Sequence, residues 1–131
     1  MKKTKKILKI MILEDEEDIL TLYNDYFSGK GHKVVCKCKN ANYILKEIEK
    51  VIPDVYILDY KLPGNKNGIE VALEILNKFP LANILFITAY GSLGRKVSNN
   101  PNFEGKYVEI LLKPMKLYNI ENSMINLVNK N

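Results

Sequence analysis

Residues 53–64 read PDVYILDYKLPG, and their pattern is the strongest indication of the fold. Its four apolar residues, Val55 to Leu58, stand between turn-forming residues and an aspartate, Asp59, and a Pro-Gly loop follows. A short apolar run bounded in this way is typical of a strand that is buried on both faces. Such strands occur in parallel sheets that are covered by helices. The stretch therefore predicts a strand of a parallel sheet, with a carboxylate at its end.

The same unit recurs along the chain. Four further apolar runs of strand length lie at residues 8–13, 34–36, 84–87 and 107–112. Between them apolar residues recur at helical spacing, which predicts the intervening helices. Five strands alternating with helices, without a repeat or a linker, predict a single α/β domain. Its core is expected to be one parallel sheet with helices on both faces.

Two of the intervening segments carry specific expectations. The second helix is expected to be capped by Asn40, because a short polar side chain can accept a hydrogen bond from the first turn. Its buried face is expected to comprise Ile44, Ile48, Val51 and Ile52. Residues 91–106 contain Gly91, Gly94, Gly105 and an Asn-Asn-Pro run. They predict at most a short or irregular fourth helix.

Composition limits the class of protein. The chain has 131 residues, of which 47% are hydrophobic and 27% are charged, as in an ordinary globular domain. No apolar run approaches the roughly 18 residues of a membrane span, and no secretory signal is recognisable, so we expect a cytoplasmic protein without membrane contact. The net charge of +5 comes from five lysines in the first nine residues. Residues 1–6 are interpreted as a basic, solvated arm.

Cys36 and Cys38 are expected to be free thiols. Side chains at i and i+2 of a strand run parallel, which is poor geometry for a disulfide. With only His32 nearby, the two cysteines also lack the ligands that a tetrahedral metal site needs.

Polar residues follow the predicted strands at their carboxyl ends. Glu14 and Asp15 follow the first strand, Asp59 the third, Thr88 the fourth and Lys113 the fifth. Because these ends meet at one edge of a parallel sheet, the side chains are expected to form one cluster. Clustered carboxylates repel one another unless a cation compensates them, and oxygen ligands suit Mg²⁺. We therefore expect a functional site at this edge.

These residues resemble the receiver domain of two-component response regulators. The resemblance rests on residues 12–16 (ILEDE), 54–64 (DVYILDYKLPG), 87–91 (ITAYG) and 113–114 (KP). It covers about residues 7–130, so we expect a stand-alone receiver, similar to chemotaxis regulators. The resemblance implies a doubly wound, flavodoxin-like sheet with the strand order 2-1-3-4-5.

The resemblance also implies a function. Asp59 would accept a phosphoryl group from a histidine kinase or a phosphotransfer protein, and the binding of an unknown downstream protein would then change. The domain would be a phosphoacceptor and not an enzyme, apart from its own phosphotransfer and slow autodephosphorylation. Thr88 and Lys113 would contact phosphoryl oxygens, and the Lys113–Pro114 bond would be cis.

The cofactor implied by the resemblance is Mg²⁺. Asp15 and Asp59 would bind it directly, Glu14 would act through water or orient the ion, and the backbone carbonyl of Lys61 would complete the protein ligands.

Three positions affect the properties that we expect of this domain. Relatives usually carry a switching aromatic residue where Ile110 stands, so we expect altered coupling between phosphorylation and output. The positions that flank the path of a hydrolytic water in relatives are Lys61 and Tyr90. Both are bulky, and we hypothesise a long-lived phosphoryl group.

Other functions remain open at this point. Ile110 and the weak 91–106 segment favour a receiver-like interaction module that is not controlled by phosphorylation. A third alternative is an aspartate-nucleophile phosphatase. It is disfavoured because such enzymes usually carry a second aspartate two residues after the nucleophile, where Lys61 stands here. Nucleic-acid binding is disfavoured because the basic arm lacks an aromatic platform. The expected assembly state is a monomer or a weak dimer.

Overall fold

The computed structural model describes residues 6–42 and 44–131. The basic arm predicted at residues 1–6 therefore lies outside the described residues, except for Lys6. The five strands are β1 (Lys9–Leu13), β2 (Lys33–Cys38), β3 (Val55–Leu58), β4 (Asn83–Thr88) and β5 (Tyr107–Leu112). They form one parallel sheet in the order β2-β1-β3-β4-β5. The predicted fold class and strand order are confirmed.

Helices cover both faces of the sheet. They are α1 (Glu17–Gly29), α2 (Ile44–Lys50), α3 (Gly68–Lys78), α4 (Leu93–Ser98) and α5 (Leu117–Lys130). No helix within the described residues is long and apolar enough to cross a membrane.

The sheet has an apolar core on each face because successive strand residues point to opposite sides. In β3, Tyr56 and Leu58 belong to the core under α2, α3 and α4, whereas Val55 and Ile57 belong to the core under α1 and α5. All four side chains are at most 1% exposed. Burial on both sides explains why the strand is a continuous apolar run.

The helix that follows β3 begins at a well-defined cap. Asn67 accepts a hydrogen bond from the backbone N–H of Glu70, and the Glu70 carboxylate accepts one from the N–H of Asn67. This capping box fixes the start of α3. It also fixes the end of the loop that begins at Asp59.

The second helix differs from its prediction. Helix α2 ends at Lys50, and Val51 and Ile52 are 42% and 56% exposed. Ile52 precedes Pro53, and the residue before a proline is disfavoured in a helix, which explains the early end. The side chain of Asn40 accepts a hydrogen bond from the N–H of Asn42, in a turn ahead of the first described residue of the helix, and the predicted cap stays a prediction. Ile44 and Ile48 are buried as predicted.

Residues 91–106, which were predicted to form at most a short or irregular helix, do contain only a short one. Helix α4 has six residues, and a single 3-10 turn follows at Pro101–Phe103. Phe103 is buried and meets Phe86 of β4 edge to face, with ring centroids 6.4 Å apart. The segment is therefore anchored to the sheet although little of it is helical.

The two cysteines are free, but their side chains are not parallel. The sulfur atoms of Cys36 and Cys38 lie 3.0 Å apart. The pairing of β2 with β1 shifts register between Ile10 and Met11, directly before Cys36. Both cysteines lie beyond this shift and pair regularly with Met11 and Leu13, so the approach of the sulfur atoms is set by the conformations of the two side chains.

Candidate functional site

The strand ends bring together the acidic residues that the sequence singles out. Glu14 and Asp15 follow β1, and Asp59 follows β3. Each offers a carboxylate oxygen, and these three oxygens lie within 4.8 Å of one another. Glu14 is buried, whereas Asp15 is exposed. The cluster is therefore open on the side of Asp15.

Lys113 compensates the negative charge of this cluster. Its Nζ donates to Glu14 Oε1 at 2.8 Å and to Asp59 Oδ2 at 3.3 Å. The backbone N–H of Lys113 donates to the carbonyl of Thr88 at 2.8 Å, and the Lys113–Pro114 peptide is cis, as expected. Burial by itself lowers the pKa of Lys113, but the hydrogen bond with Glu14 and the charges of both carboxylates raise it above its ordinary value. The lysine therefore stays protonated.

Glu14 connects the cluster to the sheet. Its second carboxylate oxygen accepts from the N–H of Glu16 at 3.1 Å, and its own N–H donates to the carbonyl of Cys38 at 3.0 Å. Burial raises the pKa of Glu14 above its usual value, and the hydrogen bond from Lys113 opposes that rise. Because burial disfavours the charged form, Glu14 depends on a nearby cation for its negative charge.

Asp59 is held at the end of β3 by its backbone and by its side chain. Its N–H donates to the carbonyl of Leu13 at 3.0 Å, and its Oδ1 accepts from the N–H of Tyr60 at 2.7 Å. Its Oδ2 faces Lys113. The carboxylate lies at a cleft of about 430 Å³ lined by Asp15, Glu16, Ile19, Asp59, Lys61, Thr88, Ala89, Tyr90 and Lys113.

Gly68 is a part of the site that sequence reasoning missed. A Cβ at this position would lie 2.1 Å from the backbone oxygen of Asp59, and the Gly68 N–H donates to the Tyr60 carbonyl at 2.7 Å. Only glycine permits so close an approach. The available signal was a glycine immediately after the Asn67 cap, where a helix usually has no need of one.

A pair of stacked rings beside the cleft was not predicted either. Tyr60 follows Asp59, and Tyr90 lies two residues after Thr88. Their ring centroids are 4.9 Å apart, at an interplanar angle of 24°. The Nζ atoms of Lys61 and Lys96 lie 5.0 and 5.9 Å from the centroid of the Tyr90 ring. The Tyr60–Tyr90 stack therefore joins the loop after β3 to the loop after β4.

Thr88 is linked to this stack through the backbone. Its side chain is buried, and its Oγ1 accepts from the N–H of Tyr90 at 3.1 Å. Ile110 pairs with Phe86 in the sheet and packs, half-buried, against the core under α2, α3 and α4. The aromatic residue that lines the cleft is Tyr90, whereas the position of the family's switching aromatic residue holds Ile110.

Comparison with known proteins identifies the family. The family model for the response regulator receiver domain matches residues 10–124. The chain belongs to the response regulator receiver family. A Yersinia pestis protein described as an uncharacterised response regulatory protein is 32% identical over 113 residues, which cover 83% of this chain and 43% of that protein. The chemotaxis protein CheY of Listeria monocytogenes is 28% identical over 70% of this chain and 76% of its own length.

Solved receiver structures have the same fold. A CheY-like receiver domain from Methanospirillum hungatei superposes with a TM-score of 0.81, covers 95% of each chain and is 20% identical. This likeness shows the fold alone. Membership in the family makes the chain a regulatory domain of two-component signalling, a class that interacts with kinases or phosphotransfer proteins and with downstream targets.

The donor set of this receiver fits Mg²⁺, which receiver domains generally bind. Glu14, Asp15 and Asp59 supply hard oxygen atoms close enough to share one ion. Lys113 compensates only part of three negative charges, and Asp15 leaves the cluster open to solvent. A divalent cation would complete the charge balance.

Proposed function

We propose that this receiver is switched by phosphorylation of Asp59. The observation that carries the proposal is the position of the Asp59 carboxylate, which lies between two further carboxylates and the Lys113 ammonium at an open cleft. The donor would be a histidine kinase or a phosphotransfer protein in the cytoplasm. The output would be altered binding of a downstream protein by a monomer or a weak dimer.

The chemistry requires relief of charge repulsion. An oxygen of Asp59 attacks the phosphorus of a phosphohistidine, the phosphorus–nitrogen bond breaks, and the imidazole leaves with the electron pair of that bond. Lys113 pairs with the charge of the incoming group, because its Nζ already lies 3.3 Å from Asp59 Oδ2. Mg²⁺ held by Asp15, Asp59, the Lys61 carbonyl and, through water, Glu14 would supply a Lewis acid that neutralises the phosphoryl oxygens.

Thr88 would couple phosphorylation of Asp59 to the position of Tyr90. Its hydroxyl can donate to a phosphoryl oxygen, and the N–H of Tyr90 currently donates to that hydroxyl. Movement of Thr88 would therefore disturb the Tyr60–Tyr90 stack. This route does not require an aromatic residue at position 110, where Ile110 stands.

The residues around Tyr90 also support the hypothesis that the phosphoryl group on Asp59 is long-lived. Tyr90 and Lys61 both line the cleft, and the lysine ammonium lies against the tyrosine ring. A tyrosine phenol supplies no general base for water at neutral pH. Both side chains restrict access to the phosphorus.

Intact mass after incubation with acetyl phosphate and Mg²⁺ tests the proposal. The wild type should gain one phosphoryl group, and Asp59→Asn should gain none. Chelation of the metal should abolish the adduct. A phosphate-independent interaction module, which Ile110 favours, would instead give no adduct with any donor.

A further inference from the structure

The thiols of Cys36 and Cys38 form a pair that the proposed function does not use. Their sulfur atoms are 3.0 Å apart and not bonded. Cys36 is 8% exposed, whereas Cys38 is more accessible. Both lie on β2, which has β1 as its single neighbour among the described strands. The two sulfurs are therefore close together, and Cys38 is the more accessible residue of the pair.

We propose that Cys36 and Cys38 are a reversible redox site, which peroxides convert to an intramolecular disulfide. Two residues of a strand span about 6.4–6.8 Å, at the upper end of the Cα separation that disulfides accept. The sulfurs have already converged, so closing the bond requires only a local shortening of β2. A bond formed under such strain is readily reduced, which makes the site reversible.

The chemistry balances with a peroxide as the oxidant. The Cys38 thiolate attacks one peroxide oxygen, the O–O bond breaks, and hydroxide leaves, which gives a sulfenic acid on Cys38. The Cys36 sulfur then attacks the Cys38 sulfur, loses its proton and displaces a second hydroxide. The two thiols lose two electrons, and the peroxide is reduced to two water molecules. A dithiol reductant reverses the oxidation.

The redox site is joined to the acidic cluster by the backbone. The carbonyl of Cys38 accepts from the N–H of Glu14 at 3.0 Å, and Cys38 pairs with Leu13 in the sheet. Shortening of β2 moves the Cys38 carbonyl and so disturbs the hydrogen bond that helps to position Glu14. We therefore expect the disulfide to slow phosphorylation, a consequence that rests on the proposed function, whereas the disulfide itself does not.

Hydrogen peroxide treatment followed by intact mass measurement tests the redox site. The wild type should lose two hydrogen atoms, remain monomeric on a non-reducing gel, and recover its original mass with dithiothreitol. Cys36→Ser and Cys38→Ser, checked for folding by circular dichroism, should not lose two hydrogens. Stable addition of oxygen to the wild type, a covalent dimer, or no change would overturn the proposal.

The coupling is tested on the same oxidised protein. With acetyl phosphate and Mg²⁺, the oxidised wild type should be phosphorylated about tenfold more slowly than the reduced form, as when the support of a metal ligand is lost. Peroxide should not slow Cys36→Ser in this way. Equal rates in both redox forms would overturn the coupling. Absence of an adduct on the reduced wild type would instead count against the proposed function, so the two failures are distinguishable.

Discussion

Replacement of Gly68 by alanine places a methyl group against the backbone of the proposed phosphoacceptor. The new Cβ would lie 2.1 Å from the carbonyl oxygen of Asp59 and 2.9 Å from the Cα of Tyr60. Contacts of a Cβ below 3.0 Å are essentially never found, so helix α3 and the end of β3 must separate by about 0.9 Å. The buried residues Val71, Ala72 and Ile75 pack in the core and oppose movement of the helix. We expect the loop that carries Asp59 to move instead.

Two magnitudes follow from this displacement. Overpacking of a close contact costs about 1–3 kcal/mol of the free energy of unfolding. A displacement of about 1 Å at a reacting group costs up to roughly 100-fold in rate. We therefore expect Gly68→Ala to be folded but less stable, and to take up phosphate from acetyl phosphate about 100-fold more slowly than the wild type.

A time course of the phosphorylated fraction by intact mass, combined with urea unfolding, measures both effects. Gly94→Ala in α4 is the matched control, because its Cβ would meet nothing within 4 Å. Because Gly94 lies in the first turn of α4, the variant should gain at most about 1 kcal/mol of stability and leave the rate unchanged. A Gly68→Ala protein with wild-type stability and a rate within twofold of the wild type would show that this contact does not position Asp59.

Three further variants test individual contacts. Tyr90→Ala opens the cleft and should shorten the phosphoryl lifetime about tenfold, equal to roughly 1.4 kcal/mol of barrier; unchanged decay of the isolated phosphoprotein would contradict the shielding role. Lys113→Gln removes the cation beside Asp59 and should slow phosphorylation by about 10²–10³-fold, measured with acetyl phosphate, whereas a rate near that of the wild type would exclude its role. Tyr56→Phe removes a buried hydroxyl that has no hydrogen-bond partner among the described residues, and urea unfolding at pH 7 should show a gain of about 1 kcal/mol. Burial raises the pKa of Tyr56 to about 12. The stability that depends on the protonated phenol is therefore complete below pH 10 and is lost as the pH rises through 12. Over this interval the wild type should lose more stability than Tyr56→Phe.

The strands and their polar ends could be predicted because they depend on local pattern. The run that ends at Asp59 is apolar at every position since both of its faces are buried. The parallel arrangement then brings Glu14, Asp15, Asp59 and Lys113 to one edge without knowledge of the loops. Helix periodicity was a poorer guide at α2, where Pro53 prevents Val51 and Ile52 from continuing the buried face.

Contacts between separate segments could not be predicted in this way. The approach of Gly68 to Asp59 depends on how the loop returns to the sheet. The Tyr60–Tyr90 stack joins two loops that are far apart in sequence, so no spacing rule reveals it. The convergence of the cysteine sulfurs depends on the conformations of the two side chains, which the regular alternation of a strand does not predict.

Mapping the modified residue tests directly whether Asp59 is the phosphoacceptor. The protein is incubated with acetyl phosphate and Mg²⁺, reduced with borohydride, digested and sequenced by mass spectrometry. Because borohydride converts an aspartyl phosphate to homoserine, we expect homoserine at position 59 and at no other aspartate. Homoserine at Asp15, a phosphoryl group on another side chain, or an unmodified Asp59 under these conditions would contradict it.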